Sequence, residues 1–157
     1  MQDRKSADCQ IEEGWHCLEV GAGGGSIAEW LCKRVGPTGH VVATDLQTKF
    51  IEAINEPNLE VRKHDIVVDE LEENFFDLAH TRAVLEHLPR RGEALEGMIN
   101  SIKPGGWILL EAHDFISSVP ISQLGGELFT HASTSSIKVL IEAGFDQHFD
   151  EIGRAHV

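Results

Sequence analysis

The 157-residue sequence predicts a single α/β domain with a doubly wound, mostly parallel sheet and helices on both of its faces. Two observations favour this fold class. Short, mostly apolar runs alternate with segments of helical periodicity at the spacing of right-handed βαβ units. The first of these runs stops at glycines and lacks the alternation of an amphipathic strand, which is typical of parallel strands buried on both faces. A domain of this length can bury one core.

The first βαβ unit begins with the run WHCLEV over residues 15–20, which is the predicted first strand. Ser26 then begins a helix with Glu29 three residues later, a pair that predicts a capping box, and Gly36 ends the helix. The apolar residues expected on one face of this helix are Ile27, Trp30 and Leu31. The glycine-rich stretch therefore lies between a strand and a helix.

The rest of the chain repeats this alternation. The further predicted strands are residues 40–44, 59–64, 76–83 and 107–111, and the further predicted helices are residues 49–55, 91–102 and 136–143. The second long helix is expected to bury Leu95, Met98, Ile99 and Ile102, and the core is expected to include Trp15, Trp30 and Trp107. The expected strand order is 3-2-1-4-5. Residues 1–13 form a polar lead-in, residues 115–135 show no clear period and are expected to form a loop over the site, and residues 145–152 are the candidate last strand.

Charge and cysteine content disfavour several classes of function. The chain has 13 Lys and Arg against 26 Asp and Glu, and its net charge of −13 would repel a nucleic-acid backbone. The three cysteines lack the density and spacing of a disulfide scaffold, so a reducing compartment, the cytoplasm, is expected. No membrane span is expected, because no apolar run approaches the roughly 20 residues that cross a bilayer. The nine histidines show no HxH, HExxH or Cys/His pairing, so no metal site is expected.

The strongest local signal is the run EVGAGGGS over residues 19–26. Glycine is needed where a strand turns sharply into a helix, because a Cβ would block the turn and hold a ligand away from the amide groups at the helix start. The run therefore predicts a ligand floor at Gly21 and Gly23. A tight turn that binds nothing would use the same residues, so this run alone leaves both interpretations open.

Two aspartates follow the next two strands. Asp45 lies 24 residues after Gly21, where a carboxylate at the end of the neighbouring strand can accept both hydroxyls of a ribose. Asp65 follows the third strand at the same edge, where it can accept from an exocyclic amine such as that of adenine. Singly, Asp45 could be a helix cap or a loop residue, and Asp65 an exposed residue of an acidic chain. Together with the turn they predict a nucleoside site.

In their order along the chain, these motifs resemble the class I S-adenosylmethionine-dependent methyltransferases, which have a Rossmann-like fold. The motifs are the ExGxGxG turn over residues 19–25, Asp45, Asp65, the run FFDLAHTRAVLEHL over residues 75–88 and KPGG over residues 103–106. They cover residues 14–112. The small-molecule branch of the quinone-biosynthesis type is the most similar, through the FDL strand and the pair Leu85 and His87. The resemblance implies S-adenosylmethionine as the methyl donor, S-adenosylhomocysteine as the product and a small-molecule acceptor.

The resemblance also implies a role for each matching residue. Gly21 and Gly23 would lie near the methionine part of the cofactor, and Glu19 would hold the turn and orient the methionine ammonium. The other implied contacts are Asp45 on the ribose, Leu46 on the purine face, Asp65 and Ile66 beside the adenine, and Thr81 and Arg82 beside the methionine part through backbone carbonyls.

A catalytic base is needed only if the acceptor must lose a proton, because the sulfonium is already activated. His87 is the candidate base, since it follows the fourth strand near the expected methyl group and a histidine can take a proton near neutral pH. A packing histidine is the alternative for this position. His113 and Asp114, just past the fifth strand, rank next.

Two other functions stay open at this point. An NAD(P)-dependent oxidoreductase could use the GxGxxS turn and Asp45, although the chain has no tyrosine and no second domain. A cofactor-binding module without catalytic activity is the other. The family usually completes its sheet with two more strands, and this chain has room for at most one. An open sheet edge is therefore expected, and either a homodimer formed through it or a truncated chain would account for it.

Overall fold

The computed structural model describes residues 10–112 and 126–145, with side chains of the last helix from residue 134 onward. The strands are β1 (His16–Val20), β2 (His40–Asp45), β3 (Leu59–Lys63), β4 (Phe76–Arg82) and β5 (Ile102–Glu111). The helices are α1 (Ser26–Val35), α2 (Arg91–Ser101) and α3 (Gly126–Glu142), with short 3-10 turns at Ile51–Ala53 and Leu85–His87. Most of the predicted lead-in and of the predicted last strand lies outside the described residues.

The five strands form one parallel sheet in the order β3-β2-β1-β4-β5, which confirms the predicted fold class and strand order. The chain winds outward from β1 to β3 and then crosses back to place β4 on the other side of β1. In open parallel sheets, ligands bind outside the carboxyl ends of the strands at the point where the winding reverses. Here that point is the gap between β1 and β4.

Successive residues of β1 pack into different layers of the core. Leu18 and Val20 pack with Ala94 and Met98 of α2, whereas Cys17 packs with the buried side of α1. Because neighbouring residues of a strand point to opposite faces of the sheet, α1 and α2 cover opposite faces. This sandwich holds the ends of the central strands in fixed positions around the site.

Several details of the predicted helices are wrong. Gly25, with a φ of 79°, caps α1 without a side-chain hydrogen bond, so Ser26 and Glu29 form no capping box. Trp30 is 54% exposed and does not join the core. The buried face of α1 consists instead of Ala28, Leu31, Cys32 and Val35. Ile99 of α2 is also exposed.

The C-terminal elements differ from the prediction as well. β5 begins at Ile102 and takes in the KPGG run, because Gly106 lets the strand pass close to β4. A Cβ on Gly106 would lie 2.9 Å from the carbonyl oxygen of Asp77, and the strand pairing shifts register near this point. α3 begins at Gly126, so residues 126–135 are helical and do not form a loop over the site. Residues 115–125 of that predicted loop lie outside the described residues. Trp15 and Trp107 pack against the core beside α1, as expected.

Candidate functional site

A cleft of about 340 Å³ opens at the carboxyl ends of the strands. Its lining residues are Val20, Gly21, Thr44, Asp45, Leu46, His64, Asp65, Ile66, Arg82, Ala83, Val84, His87 and Leu88. Small-molecule sites span about 300–1,000 Å³ and are mainly apolar with a few polar groups, and this cleft has both properties. An open groove adjoins it and shares Asp45 and Leu46 with it. The cleft thus contacts the ends of four strands.

The glycine turn forms the part of the cleft next to β1. The backbone N–H groups of Gly21 and Ala22 both donate to the carbonyl oxygen of Thr44 at 2.9 Å, which ties the turn to β2. Gly21 has a φ of 71°, and a Cβ there would lie 2.3 Å from Cγ2 of Val84. Both conditions exclude a side chain at this position. The absence of that side chain lets Val84 pack directly against the turn.

Asp45 lies at the rim of the cleft with its carboxylate held by backbone groups. Its Oδ2 accepts from the N–H of Gly23 at 2.8 Å, and its Oδ1 accepts from the N–H of Gln47 at 2.9 Å. A carboxylate oxygen can accept more than one hydrogen bond, so each oxygen keeps capacity for a further donor. Leu46 is 58% exposed beside it and offers an apolar surface to the cleft.

The residues after β3 form the neighbouring wall. Oδ1 of Asp65 accepts from the N–H of Val67 at 3.0 Å, and the N–H of Asp65 donates to Oδ2 of Asp69 at 2.8 Å. Ile66 is buried in the core with Val20 and also lines the cleft. This turn therefore places a carboxylate next to an apolar floor.

The end of β4 closes the other side. Thr81 is buried, and its Oγ1 donates to the carbonyl oxygen of Val20 at 3.0 Å, which fixes β4 against β1. Arg82 and Ala83 follow it into the cleft lining. Ala83 has a φ of 57°, a left-handed conformation that is costly for a residue with a Cβ, and its N–H donates to the carbonyl oxygen of Glu111 at 2.9 Å. Backbone strain of this kind is concentrated at functional sites.

His87 lies at the end of the 3-10 turn after β4 and lines the cleft. Its ring centroid lies 5.2 Å from that of Phe145, which follows α3, so the imidazole packs on one side and reaches the cleft on the other. This position is compatible with a base and with a packing histidine. His113 and Asp114, which rank after it in the sequence analysis, lie outside the described residues.

Glu19 lies behind the cleft wall. Its side chain is 3% exposed, and its Oε2 lies 2.6 Å from Nδ1 of His80 on β4. The other ring nitrogen of His80, Nε2, lies 2.9 Å from Oε1 of Glu111 on β5. One imidazole therefore bridges two carboxylates across three neighbouring strands. We call these residues the Glu19–His80–Glu111 cluster.

Both ring nitrogens of His80 face carboxylate oxygens, which constrains where the protons lie. A neutral imidazole donates from one nitrogen and presents a lone pair at the other, so a second carboxylate is accommodated only if a further proton is present. Burial raises the pKa of Glu19, against the opposing hydrogen bond and charge of His80. Burial lowers the pKa of His80, but the hydrogen bonds and charges of Glu19 and Glu111 outweigh it and leave that pKa raised. Both shifts retain a proton in the cluster at a pH where an isolated group would lose it.

The structure brings together most of the predicted site residues. Gly21, Asp45, Leu46, Asp65, Ile66, Arg82 and His87 line the cleft, and Gly23 lines the adjoining groove. Within the described part of the chain, Glu19 and Thr81 support this lining from behind without belonging to it. The cleft lining also includes residues that were not predicted, namely Val20, Thr44, His64, Ala83, Val84 and Leu88.

The role of His80 was also not predicted, although the sequence contains an indication of it. Glu19 and His80 are ionisable residues within mostly apolar strand segments, and a buried ionisable group needs a partner. Their pairing joins residues that are 61 positions apart, so it depends on strand register.

The described ranges, 10–112 and 126–145, contain no cluster of three or more His, Cys, Asp or Glu that could hold a metal ion. The expectation of no metal site stays a prediction for the whole chain. Among the helices in these ranges, none has the length and apolar character that crossing a membrane requires.

Similarity to known proteins covers the part of the chain that builds the cleft. Residues 18–110, more than half of the chain, match the family described as "Methyltransferase domain". A ubiquinone/menaquinone biosynthesis C-methyltransferase of Pseudomonas entomophila (strain L48) is 25% identical over an alignment 173 residues long. The alignment covers 87% of this chain and 67% of that protein. The methyltransferase str2 of Strobilurus tenacellus is 37% identical over 101 residues, which cover 62% of this chain and 35% of that protein.

The chain spans between 32% and 67% of the length of these and similar curated relatives. Among solved structures, an S-adenosylmethionine-dependent methyltransferase from Aquifex aeolicus superposes with a TM-score of 0.62 at 23% identity, covering 78% of this chain and 73% of that one. A TehB-like S-adenosylmethionine-dependent methyltransferase from Corynebacterium glutamicum superposes with a TM-score of 0.54 at 26% identity, covering 62% of this chain and 54% of that one. The family match runs from within β1 to within β5.

Proposed function

This chain belongs to the class I S-adenosylmethionine-dependent methyltransferases, and we propose that it transfers the methyl group of that cofactor to a small-molecule acceptor. The observation that carries the proposal is the convergence of Gly21, Asp45, Leu46, Asp65 and Ile66 on one cleft. These residues come from the ends of three strands. Each supplies a surface that a different part of the cofactor requires.

The chemistry of the cleft fits S-adenosylmethionine. Asp45, which two backbone N–H groups hold in place, would accept the ribose hydroxyls. Leu46 and Ile66 would contact the purine, and Asp65 would accept from its exocyclic amine. The turn at Gly21, which has no room for a Cβ, would lie against the methionine part, and the backbone at Gly23, Thr81 and Arg82 would complete the contacts to it.

Glu19 acts from behind the turn in this proposal. Its carboxylate contacts the ring of His80. In the chain, Glu19 directly precedes Val20 and Gly21, which line the cleft. A carboxylate fixed there would hold the turn and direct negative charge towards the methionine ammonium.

Bound S-adenosylmethionine supplies an electrophilic methyl group on a positively charged sulfur. The residues of this chain would bind and orient the reactants and exclude water, which can supply most of the acceleration of an in-line displacement. His87 lines the cleft and would take the proton of an acceptor that must lose one. For an acceptor without such a proton, His87 would shape the site only.

The relatives support a small-molecule acceptor, since one of them is a C-methyltransferase of ubiquinone/menaquinone biosynthesis. The net charge of −13 supports a partner other than a nucleic acid. We further propose the cytoplasm as the compartment, because the three cysteines lack the density and spacing of a disulfide scaffold. β5 is the last strand of the described sheet, so we propose a homodimer through that edge, which a clean monomer in light scattering would contradict.

Isothermal titration calorimetry with S-adenosylhomocysteine tests the proposed cofactor. We expect saturable binding, and we expect Asp45→Ala to weaken it by about 1–3 kcal/mol because charged hydrogen bonds are lost. The matched control is Glu96→Ala, an exposed carboxylate on α2 outside the cleft, which should leave the affinity unchanged. Binding of NADH without any response to S-adenosylhomocysteine would reject the proposal in favour of an oxidoreductase. Detection of S-adenosylhomocysteine formed from S-adenosylmethionine and candidate acceptors then tests catalysis.

A further inference from the structure

The Glu19–His80–Glu111 cluster crosses the sheet directly behind the cleft. Glu19 and His80 are paired neighbours in the parallel register of β1 and β4, and Glu111 pairs with Arg82 in the register of β4 and β5. Val20, which follows Glu19 on β1, and Arg82, two residues after His80 on β4, line the cleft. Any change in the cluster therefore acts on strand ends that form the cleft wall.

For both contacts of His80 to be hydrogen bonds, the cluster must carry one proton more than a neutral imidazole between two ionised carboxylates. Glu19 and the His80 ring are almost fully buried, whereas the Glu111 side chain is 46% exposed and reaches solvent. Loss of that proton would leave an acceptor-only carboxylate oxygen facing a ring lone pair within 2.6–2.9 Å, which is repulsive. Among the described residues, the other charged group that acts on Glu19 is Arg82, whose positive charge favours the ionised carboxylate.

We propose that His80 is a positioning residue: its proton, shared with Glu19 and Glu111, holds the ends of β1, β4 and β5 in the arrangement that binds the S-adenosyl ligand. This inference rests on the proposed function, because it concerns the affinity of the same cleft. Its consequence is that the ligand and the proton bind cooperatively. Affinity is highest while the cluster is protonated and declines as it deprotonates at alkaline pH.

The test is the affinity for S-adenosylhomocysteine by calorimetry between about pH 6 and pH 10, a range that extends upward from the ordinary pKa of histidine of about 6.5. In the wild-type protein the dissociation constant should increase as the pH is raised above neutrality. A plot of its logarithm against pH should reach a limiting slope of about one, the value for one linked proton. The amine of the ligand titrates in every variant, so differences between variants isolate the protein. His80→Gln keeps a hydrogen-bonding side chain but cannot be protonated. In this variant the affinity should depend on pH only through the amine of the ligand.

Two further variants keep the inference falsifiable if His80→Gln fails to fold. Glu111→Gln keeps an acceptor for Nε2 but removes one negative charge, so the decline in affinity should begin at lower pH. His40→Gln removes a histidine that contacts Glu60 at 3.2 Å at the start of β2, away from the cleft, and should reproduce the wild-type profile. In the wild type, ¹⁵N NMR of the His80 ring at neutral pH should show both ring nitrogens in hydrogen bonds.

The outcomes separate the inference from the proposed function. Wild-type protein that binds no S-adenosylhomocysteine at any pH would contradict the proposed function. Wild-type protein whose pH profile is the same as that of every cluster variant that folds would overturn the inference alone. A shifted profile in either variant, with an unchanged His40→Gln profile, supports it.

Discussion

Replacement of Gly21 with alanine tests whether the turn is built around the missing side chain. Alanine at a φ of 71° costs about 1–2 kcal/mol in the left-handed region. Its Cβ would lie 2.3 Å from Cγ2 of Val84, and overpacking of this kind costs about 1–3 kcal/mol. The lower entropy of the unfolded alanine chain offsets about 0.4–1 kcal/mol. The free energy of unfolding should therefore fall by about 1–5 kcal/mol.

The same turn provides two graded controls. Gly23 has a φ of 54° but nothing within 4 Å of an added Cβ, so Gly23→Ala should lose only the conformational part, about 1 kcal/mol after the entropy offset. Gly24 has neither a positive φ nor a neighbour within 4 Å, so Gly24→Ala should keep only the entropy gain and raise stability by about 0.4–1 kcal/mol. The expected order of damage is Gly21, then Gly23, then Gly24.

Urea unfolding followed by circular dichroism measures this series, with the midpoint compared at constant slope. Calorimetry with S-adenosylhomocysteine adds a second readout, because Gly21 and Val84 both line the cleft and a displaced Val84 would narrow it. We expect Gly21→Ala to weaken binding by at least about tenfold, which is 1.4 kcal/mol. Equal stability of the Gly21 and Gly24 variants would refute the steric reasoning.

Three further predictions concern the core, the cleft and pH. Phe76 is fully buried, so Phe76→Ala should cost about 3–5 kcal/mol in urea unfolding, whereas Phe50→Ala at a 65% exposed position should cost less than about 0.5 kcal/mol; equal losses would contradict the described packing. Leu46→Ala should leave stability within about 0.5 kcal/mol but weaken S-adenosylhomocysteine binding by about 1 kcal/mol, or fivefold, and unchanged affinity would remove Leu46 from the site. The raised pKa of His80 gives stabilisation that is complete below its ordinary pKa of about 6.5 and is lost as pH rises through the raised value, and burial of Glu19 acts in the same direction. The free energy of unfolding should therefore decrease as the pH is raised above neutrality. A free energy of unfolding that stays constant over this range would contradict the presence of the shared proton in the cluster.

The fold could be predicted from the sequence because each strand carries its own signal. Buried parallel strands appear as short apolar runs, and the turns after them carry glycine or aspartate. The residues that follow strand ends were also predictable as a set, since parallel strands end at one edge of the sheet. Gly21, Asp45 and Asp65 meet in the cleft for this reason.

Other features depend on how elements pack and could not be predicted locally. Trp30 and Ile99 lie on apolar helix faces in the sequence, but the rotation of each helix on the sheet leaves them exposed. Gly25 replaces the predicted cap because the turn enters α1 in a left-handed conformation. The bridge from Glu19 through His80 requires the strand register, which the sequence of either strand does not contain.

The most direct test of the account is to map S-adenosylhomocysteine on the protein by backbone amide NMR. Binding in the cleft predicts the largest shift changes at Gly21, Gly23, Leu46 and Ile66, whose amides lie in the turns that line the cleft and its adjoining groove. The amides of residues 10–13 and Arg34, which line a separate groove beside the end of α1, should not shift. Saturable shifts at the four turn residues are the result that the account predicts. Saturating ligand that leaves those amides unchanged, or that shifts the distant groove instead, would contradict it.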